Sequence, residues 1–386
     1  MKTPCYIIDK YELERSFDGF NLALRSNFKH CISSYSVKTN SLPYVLKTAL
    51  EKGYFAEVVS DDEYALALRC GFSRDQIVFN GPMKSKEAFL DAIKGGAIVN
   101  IETFREIDWL KYLPQDQQYC VGLRMNINIS SISPADENHV DDNSRFGFSC
   151  ESDDFDRAVE MIDAMPNIRF TRLHIHRTSR TRSIAFYCNL IDYAMTQLAK
   201  RNFKIDQIDF GGGYFGIMPG KPTYGEYAWE ISKVLRKYQD LSEITAIIEP
   251  GNAIVASAFS FVSSVIDVKQ HDDNYYISLD GSRIDIDPFF HKKSYFKEVI
   301  RNNNEETAVV PKQIIGGCTC LEYDRLMELE NEPLLQLGDK IRFNRVGAYT
   351  MTLTPLFIRY WPDVYVDDGH ALKLVREKFS VEKLIN

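Results

Sequence analysis

A single lysine, Lys38, stands at the end of a short apolar and hydroxyl-rich run in the segment CISSYSVKTN. The run predicts a strand, and an ammonium group at its end is either solvated or paired with an acid. A paired lysine supplies an amine whose pKa its surroundings can shift and that can form a Schiff base. For Lys38 by itself both interpretations stay open: a solvated strand end or a reactive amine.

Two later segments carry histidines and glycines at strand ends. In LHIH, His174 and His176 share one face of a strand, because side chains alternate with a period of two. The pair could bind a metal, but no convincing third ligand stands nearby, so we expect no metal and favour a ring that stacks or donates a hydrogen bond. In DFGGG, Gly211, Gly212 and Gly213 form either an ordinary turn or a loop whose N–H groups approach an anion.

The segment IIEPG adds a carboxylate, Glu249, with Gly251 beside it. Alone, Glu249 could pair with any cation at a strand end. Together, a strand-end lysine, a histidine ring, a glycine loop and a carboxylate match the needs of pyridoxal 5'-phosphate: a Schiff base, a ring face, a phosphate site and a partner for the pyridine nitrogen. The sequence therefore predicts a site for this cofactor.

The elements that would position these residues alternate between strands and helices from residue 30 to about residue 250. The strand-like runs are CISSYSV, YFAEVVS, QIVFNG, GAIVNIE, CVGLRMNIN, FTRLHIH, QIDFGGG and ITAIIEPG. Eight such units in this length predict a (β/α)8 TIM-like barrel, in which functional groups lie at the C-terminal ends of the strands. The candidate residues would then face one mouth.

After Gly251 the sequence changes to strand-like runs separated by turns, which predicts a mostly antiparallel β domain. The first residues, TPCYIIDKYELERSF, read as a strand and a helix that could join either part. We place the barrel at residues 26–252 and the β domain at residues 1–25 and 253–386.

Composition narrows the function class. The chain has 386 residues, 45% of them hydrophobic, which is enough for two domains. A net charge of -8 argues against a nucleic-acid or anionic-membrane binder. Charges interrupt the first residues, and no apolar run approaches the length of a membrane span, so we expect a cytoplasmic protein. The eight dispersed cysteines suit free thiols better than a disulfide framework.

Eight short motifs occur in the order YSVKTN, LRMN, SRFGF, LHIHRTS, DFGGG, EPG, GCTCLEYD and GAYT. In this order the chain resembles the fold-type III pyridoxal-phosphate decarboxylases, the group of diaminopimelate, ornithine/arginine and carboxynorspermidine decarboxylases. The resemblance extends from TPCYIID to GAYT. It implies the alanine racemase-like combination of barrel and β domain, and a homodimer with composite active sites.

The same resemblance implies roles for individual residues. Lys38 would carry the cofactor as an internal aldimine, Glu57 would be the acidic residue near it, and Glu249 would bind the pyridine nitrogen. The other implied cofactor contacts are Arg124 and His176 at the ring, and Ser179, Gly211, Gly212, Gly213, Gly251 and Tyr349 at the phosphate.

The implied reaction is loss of the α-carboxylate of an amino acid. Cys320 would return the proton to Cα or orient the carboxylate, although a free cysteine is by default a small buried hydrophobic residue. Cys320 and Asp324 would enter from the partner subunit. Two alternatives remain. An amino-acid racemase of the same fold places an arginine at the pyridine nitrogen, where this chain has Glu249, and a noncatalytic binding or regulatory protein is built on the same fold.

Departures from the family pattern concern the substrate. The residue after Cys320 is acidic in diaminopimelate and ornithine decarboxylases but is Leu321 here, although Glu322 could partly replace it. The usual arginine after EPG is Asn252, and the usual glycine before Ser179 is Thr178.

A distal ammonium buried without a carboxylate is costly, and Leu321 supplies none. Arg177, Arg180 and Arg182 form either a solvated loop or a set from which one guanidinium, such as that of Arg180, pairs with a substrate carboxylate or phosphate. We therefore expect contacts from Arg180, Leu321, Glu322 and Asp324 to a larger or anionic conjugate with an amino acid head.

Overall fold

The computed structural model describes residues 2–136, 144–303 and 307–385. The chain divides into two compact units, a barrel unit (Ser16–Ala253) and a β unit (Met1–Arg15 with Ile254–Asn386). The amino-terminal boundary lies ten residues earlier than the division expected at residue 25, because the following residues pack with the barrel unit. Phe17, for example, contacts the rings of Tyr35 and Tyr54 at centroid distances of 5.8 and 4.8 Å.

The chain begins with strand β1 (Cys5–Asp9) and helix α1 (Lys10–Arg25). In the described residues of the barrel unit, eight parallel strands close on themselves: β2 (His30–Ser36), β3 (Phe55–Ser60), β4 (Ile77–Met83), β5 (Ile98–Ile101), β6 (Tyr119–Asn126), β8 (Ile168–His174), β9 (Gln207–Asp209) and β10 (Thr245–Ile248). A two-residue strand, β7 (Phe148–Ser149), adds to the end of β6. The barrel prediction is confirmed, and each of the eight predicted runs overlaps one of these strands.

Helices connect the barrel strands. They are α2 (Pro43–Glu51), α3 (Asp61–Arg69), α4 (Lys86–Lys94), α5 (Phe104–Trp109), α6 (Ile129–Ile132), α7 (Asp154–Asp163), α8 (Ile184–Lys200) and α9 (Tyr224–Leu235), followed by α10 (Asn252–Val255). Hydroxyl side chains begin five of them, since Ser60, Ser85, Thr103, Ser183 and Thr223 each accept a hydrogen bond from a backbone N–H of the first turn. Such caps fix where each strand end turns into its helix.

The barrel interior is partly polar. Barrels of this type are usually filled by layers of branched aliphatic side chains. Here Asn80, Asn100, Arg172 and Asp209 are also buried, although they lie on strands whose other residues are mainly apolar. Buried polar groups need hydrogen-bond partners. A cluster of them inside the barrel therefore indicates the position of a candidate site.

The β unit contains one sheet formed by β1, β11 (Phe259–His271), β12 (Asn274–Leu279), β13 (Phe296–Ile300), β14 (Val309–Gly316), β15 (Arg325–Pro333), β16 (Lys340–Asn344), β17 (Asp363–Asp367) and β18 (Leu372–Arg376). Within the described part of this unit, only β1 with β17 and β12 with β14 pair in parallel, which confirms a mostly antiparallel domain. Strand β1 lies between β11 and β17. A short helix, α11 (Val381–Ile385), follows the sheet.

Helices in the described ranges are all too short or too polar to cross a membrane.

Candidate active site

Lys38 lies in a single helical turn (Val37–Thr39) directly after β2. Its Nζ donates to both carboxylate oxygens of Glu57, at 2.9 and 2.6 Å. The Glu57 side chain is 1% exposed, whereas that of Lys38 is 38% exposed. Glu57 also accepts a hydrogen bond of 2.6 Å from the Ser36 hydroxyl. Lys38 is therefore a paired amine, held by a buried acid but reachable from outside the barrel.

A chain of side chains leads from this pair across the barrel interior. The Asn80 amide on β4 donates to Glu57 Oε1 at 3.2 Å and to Glu249 Oε1 at 2.5 Å. Asn100 on β5 donates to Asn80 Oδ1 at 2.8 Å and to Asp209 Oδ2 at 3.0 Å. These groups are all buried. Two neutral carboxamides thus connect three buried carboxyl groups, of which Asp209 and Glu249 also share a side-chain hydrogen bond.

Burial disfavours the charged forms of these acids. It raises the pKa of Glu249 well above its ordinary value, and the nearby carboxylates of Asp209 and Glu57 raise it further. Burial raises the pKa of Asp209 to about 6. Burial also lowers the pKa of His174 well below its ordinary value, so this ring is neutral. A cation placed beside Glu249 would favour its carboxylate form again.

His176 presents a ring of fixed orientation. Its Nδ1 accepts a hydrogen bond of 3.2 Å from the N–H of Gly212, and its plane lies within 9° of that of His174. Arg124 donates to the carbonyl oxygen of His176 at 3.0 Å and pairs with both oxygens of Glu102 at 3.0 Å. The ring nitrogen and the backbone of His176 are thus both held.

The glycine loop after β9 requires its glycines. Gly211 and Gly213 have φ angles of +70° and +96°, which side chains rarely allow. A Cβ atom at Gly212 would overlap the carbonyl oxygen of Glu249. The Tyr187 hydroxyl donates to the carbonyl oxygen of Gly212 at 3.1 Å. The loop is therefore a built element and more than an ordinary turn.

These residues fit pyridoxal phosphate. Lys38 offers a reachable amine beside a buried acid, and His176 offers a fixed ring. Glu249 is a buried acid whose charge needs a cationic neighbour, as a protonated pyridine nitrogen would be. A loop of glycines lies next to both His176 and Glu249.

Comparison with known proteins decides the family. The model of the pyridoxal-dependent decarboxylase family, for its pyridoxal binding domain, matches residues 13–256. The chain belongs to this family. It is thus a pyridoxal phosphate-dependent amino acid decarboxylase, a carboxy-lyase. The predicted activity and cofactor are confirmed, and the racemase and noncatalytic alternatives find no support.

Relatives match over nearly the whole chain. A diaminopimelate decarboxylase of Bacteroides thetaiotaomicron is 27% identical over 365 residues, covering 90% of this chain and 91% of the relative. The 2-[(L-alanin-3-ylcarbamoyl)methyl]-2-hydroxybutanedioate decarboxylase of Staphylococcus aureus is 25% identical over 372 residues, with 90% of each chain covered. The crystal structure of diaminopimelate decarboxylase from M. jannaschii in complex with L-lysine has the same fold, with a TM-score of 0.84, 22% identity and coverage of 99% and 91%.

Two predicted phosphate contacts of the decarboxylase have other local partners. The Ser179 hydroxyl donates to Asp136 Oδ1 at 2.6 Å and accepts from the N–H of Arg182 at 2.8 Å. A Cβ atom at Gly251 would overlap the Thr39 hydroxyl, so this glycine permits close approach of two strand ends. Phosphate binding by Ser179 and Gly251 stays a prediction.

Of the remaining predicted residues, Arg180 lies in the barrel unit and the others lie in the β unit, most of them in the cysteine loop (residues 317–324). Asp324 is buried, and its carboxylate accepts hydrogen bonds from the Ser282 hydroxyl, the Arg283 N–H, and the N–H and hydroxyl of Thr319. Its oxygens are therefore engaged in holding the loop. Cys320 and Glu322 are exposed and Leu321 is half-buried.

Tyr349, the last predicted phosphate contact, also lies in the β unit. It has a φ angle of +67° and packs edge-on against Phe289 at 5.6 Å. Its role at the phosphate stays a prediction, as do the substrate contacts expected of Arg180, Leu321, Glu322 and Asp324.

Several residues of the site were missed from the sequence, namely Ser36, Asn80, Asn100, Asp136, Tyr187 and Asp209. Asp209 also bears on metal binding. Its carboxylate, that of Glu249 and the ring of His174 each offer a ligand atom within 4.8 Å of the others. The two asparagines already donate to these carboxylates, which suits a hydrogen-bonded network around a cofactor.

Proposed function

We propose that this decarboxylase removes the α-carboxylate of an amino acid, or of a conjugate carrying an amino acid head, with Lys38 as the residue that binds the cofactor covalently. The observation that carries the proposal is the Lys38–Glu57 pair, in which a reachable amine is bonded at 2.6 Å to a buried acid. Such a pair holds the amine in one position and keeps its proton within reach of an acceptor.

Each surrounding residue then has a task. Glu249 would hold the pyridine nitrogen and favour its protonated form, and His176 would hold the ring. Pyridoxal phosphate, when bound, supplies the electron sink for the charge left at Cα as CO2 departs. Glu57 orients Lys38 and shares its proton, and Cys320 delivers the proton that Cα receives.

We further propose a homodimer in which Cys320 comes from the partner subunit. Support comes from the cysteine loop, whose backbone is held by Asp324 while Cys320 and Glu322 stay exposed. A cytoplasmic location is proposed as well, and the eight cysteines, all of them free thiols, are consistent with a reducing compartment.

The proposed substrate is an anionic or larger conjugate. Leu321 offers no charge to a distal ammonium, and the exposed Arg180 lies four residues after His176, in the segment that follows β8. The S. aureus relative acts on a compound whose name combines an alanine unit with a hydroxybutanedioate, which is such a conjugate. The diaminopimelate decarboxylase relatives favour a second candidate, a plain diamino acid, with Glu322 as the acid that meets its distal amine.

The test measures CO2 release from plain diamino acids and from carboxylated conjugates by the parent, Lys38→Ala and Arg180→Ala. We expect no cofactor attachment and no turnover in Lys38→Ala, because the amine is gone, and normal behaviour in Lys47→Ala, an exposed lysine on α2. Normal activity of Lys38→Ala would overturn the assignment of the site.

For the substrate, the expected result is a higher kcat/KM for a conjugate, reduced in Arg180→Ala by about tenfold, since a charge-assisted hydrogen bond is lost. The control is Arg169→Ala, an exposed arginine at the opposite end of β8. If a diamino acid turns over at least as well as every conjugate and Arg180→Ala matches Arg169→Ala, the second candidate is correct.

A further inference from the structure

We propose that Asn80 is a positioning residue for the pyridine end of the cofactor, acting through Glu249. Its amide nitrogen carries two hydrogens, and the structure uses them on the two carboxylates of the proposed site, Glu57 and Glu249. The inference rests on the proposed roles of Lys38 and Glu249.

The orientation of the Asn80 amide is determined by its surroundings. Its oxygen accepts a hydrogen bond of 2.8 Å from Asn100, and Asn100 in turn donates to Asp209 at 3.0 Å. A flipped Asn80 would face Asn100 with an N–H group and both carboxylates with an oxygen, and all three contacts would become unfavourable. The nitrogen of Asn80 must therefore point to the two acids.

The two acids depend on Asn80 to different degrees. Glu57 also accepts from Lys38 and from the Ser36 hydroxyl. Glu249 accepts from Asn80 and otherwise shares a side-chain hydrogen bond with Asp209, which is itself an acid, whereas His174 Nε2 lies 3.8 Å away. The charge of Glu249 is opposed by its burial and by two neighbouring acids. Loss of Asn80 should consequently affect the pyridine end more than the lysine end.

Few other side chains could take the place of Asn80 between the two acids. An aspartate has the same shape but no N–H donors, and it would add another carboxyl group to the cluster. A serine has one hydroxyl hydrogen and a shorter reach. A single carboxamide nitrogen is thus the smallest group that can donate to both carboxylates without adding charge.

The experiment compares Asn80→Ala and Asn80→Asp with Asn167→Ala in the full-length protein. Asn167 is also a buried asparagine, but its amide donates to the backbone of Pro114, away from the site. The cofactor-free proteins are titrated with pyridoxal phosphate and with its 1-deaza analogue, in which a carbon replaces the pyridine nitrogen, and binding is followed by protein fluorescence. Thermal unfolding identifies any variant that fails to fold.

We expect Asn80→Ala to bind pyridoxal phosphate about 10- to 100-fold more weakly, because a hydrogen bond to a charged group is lost. Binding of the 1-deaza analogue, which makes no use of Glu249, should change by less than about twofold, as should both ligands in Asn167→Ala. Asn80→Asp should show at least the same selective loss. Removing a donor raises the pKa of Glu249 further, so the acid limb of the kcat profile should move to higher pH.

Equal weakening of both ligands in the Asn80 variants would mean that Asn80 supports the cavity in general, and the inference would be wrong. It would also be wrong if the Asn80 variants matched Asn167→Ala. If the parent protein does not bind pyridoxal phosphate, the proposed function and this inference fail together, whereas the other two outcomes leave the proposed function intact.

Discussion

At the barrel mouth, the candidate side chains bond to one another, whereas in the cysteine loop the backbone is held and the candidate side chains face outward. Lys38, Glu57, Asn80 and Glu249 form one connected network within the barrel unit. In the loop, the Asp324 carboxylate accepts hydrogen bonds from backbone N–H groups of the β unit, and Cys320 is exposed. In the barrel, the candidate side chains are therefore held by one another. In the cysteine loop, only the backbone is held, and the candidate side chains are left exposed for contacts with another molecule.

The largest effect expected from this difference is complementation between inactive subunits. Lys38→Ala lacks the amine and Cys320→Ala lacks the exposed thiol, so each is inactive alone. After random exchange, half of the dimers are mixed and each has one intact site, which restores up to about a quarter of parent activity. The recovered activity is measured as CO2 release before and after the two variants are mixed.

No recovery, although subunit exchange is demonstrated by differential tagging, would count against shared sites. A protein that is monomeric at assay concentrations would end the idea outright.

A smaller effect is expected on stability, where the buried anchor of the cysteine loop can be distinguished from its exposed side chains. Asp324→Ala leaves four buried or partly buried donors without their acceptor, so we expect the free energy of unfolding to fall by roughly 2–5 kcal/mol. The matched change Glu322→Ala removes an exposed carboxylate two residues before Asp324 and should alter the free energy of unfolding by less than about 0.5 kcal/mol. Urea unfolding followed by fluorescence gives both values. Similar losses in the two variants would contradict the division of the loop into a buried anchor and exposed functional groups.

The smallest effect concerns two stacked tyrosines behind the glycine loop, Tyr187 and Tyr214, whose ring centroids are 4.5 Å apart. Tyr187 donates to Gly212, whereas the buried Tyr214 hydroxyl has no hydrogen-bond partner among the described residues. Tyr187→Phe should cost about 0.5–1.5 kcal/mol and weaken binding of pyridoxal phosphate, but not of pyridoxal, several-fold. Tyr214→Phe should leave stability unchanged or raise it, because an unsatisfied buried hydroxyl is removed.

Calorimetric titration of both ligands and thermal unfolding check this pair. An equal loss in the two variants would show that the glycine loop gains nothing specific from the Tyr187 hydroxyl.

Much of the fold was predictable because buried parallel strands leave apolar runs at regular spacing. The same logic located Lys38, since a lysine after such a run is conspicuous. Asn80 and Asn100 gave a weaker signal, a single polar residue inside each of the runs QIVFNG and GAIVNIE. Their meaning depends on barrel closure, which brings Asn100 to 3.0 Å from Asp209, a residue 109 positions away.

Hydrogen bonding also explains why the role of a residue in a short motif can be assigned only when the folded structure is known. The Ser179 hydroxyl is bonded to Asp136, 43 residues earlier, and no local pattern around HRTS announces that partner. Asp324 lies within its own motif, yet its acceptors are used by Ser282 and Arg283, some 40 residues earlier. A motif gives the residue type and its place, and the fold decides which of its bonding groups are still available.

The position of β1 in the sheet determines when this strand can pair with both of its neighbours during synthesis. Residues 5–8 pair with residues 259–262 of β11 on one side, and residues 5–9 pair with Asp363–Asp367 on the other, so β1 is synthesised well before both of its neighbours. At translation rates of 5–20 residues per second, β1 waits roughly 20 to 70 s for its second neighbour. The intervening barrel can meanwhile close around contacts of its own. On the nascent chain this apolar strand is therefore paired along one edge at most until Asp363–Asp367 has been made, which makes it a natural point of contact for chaperones.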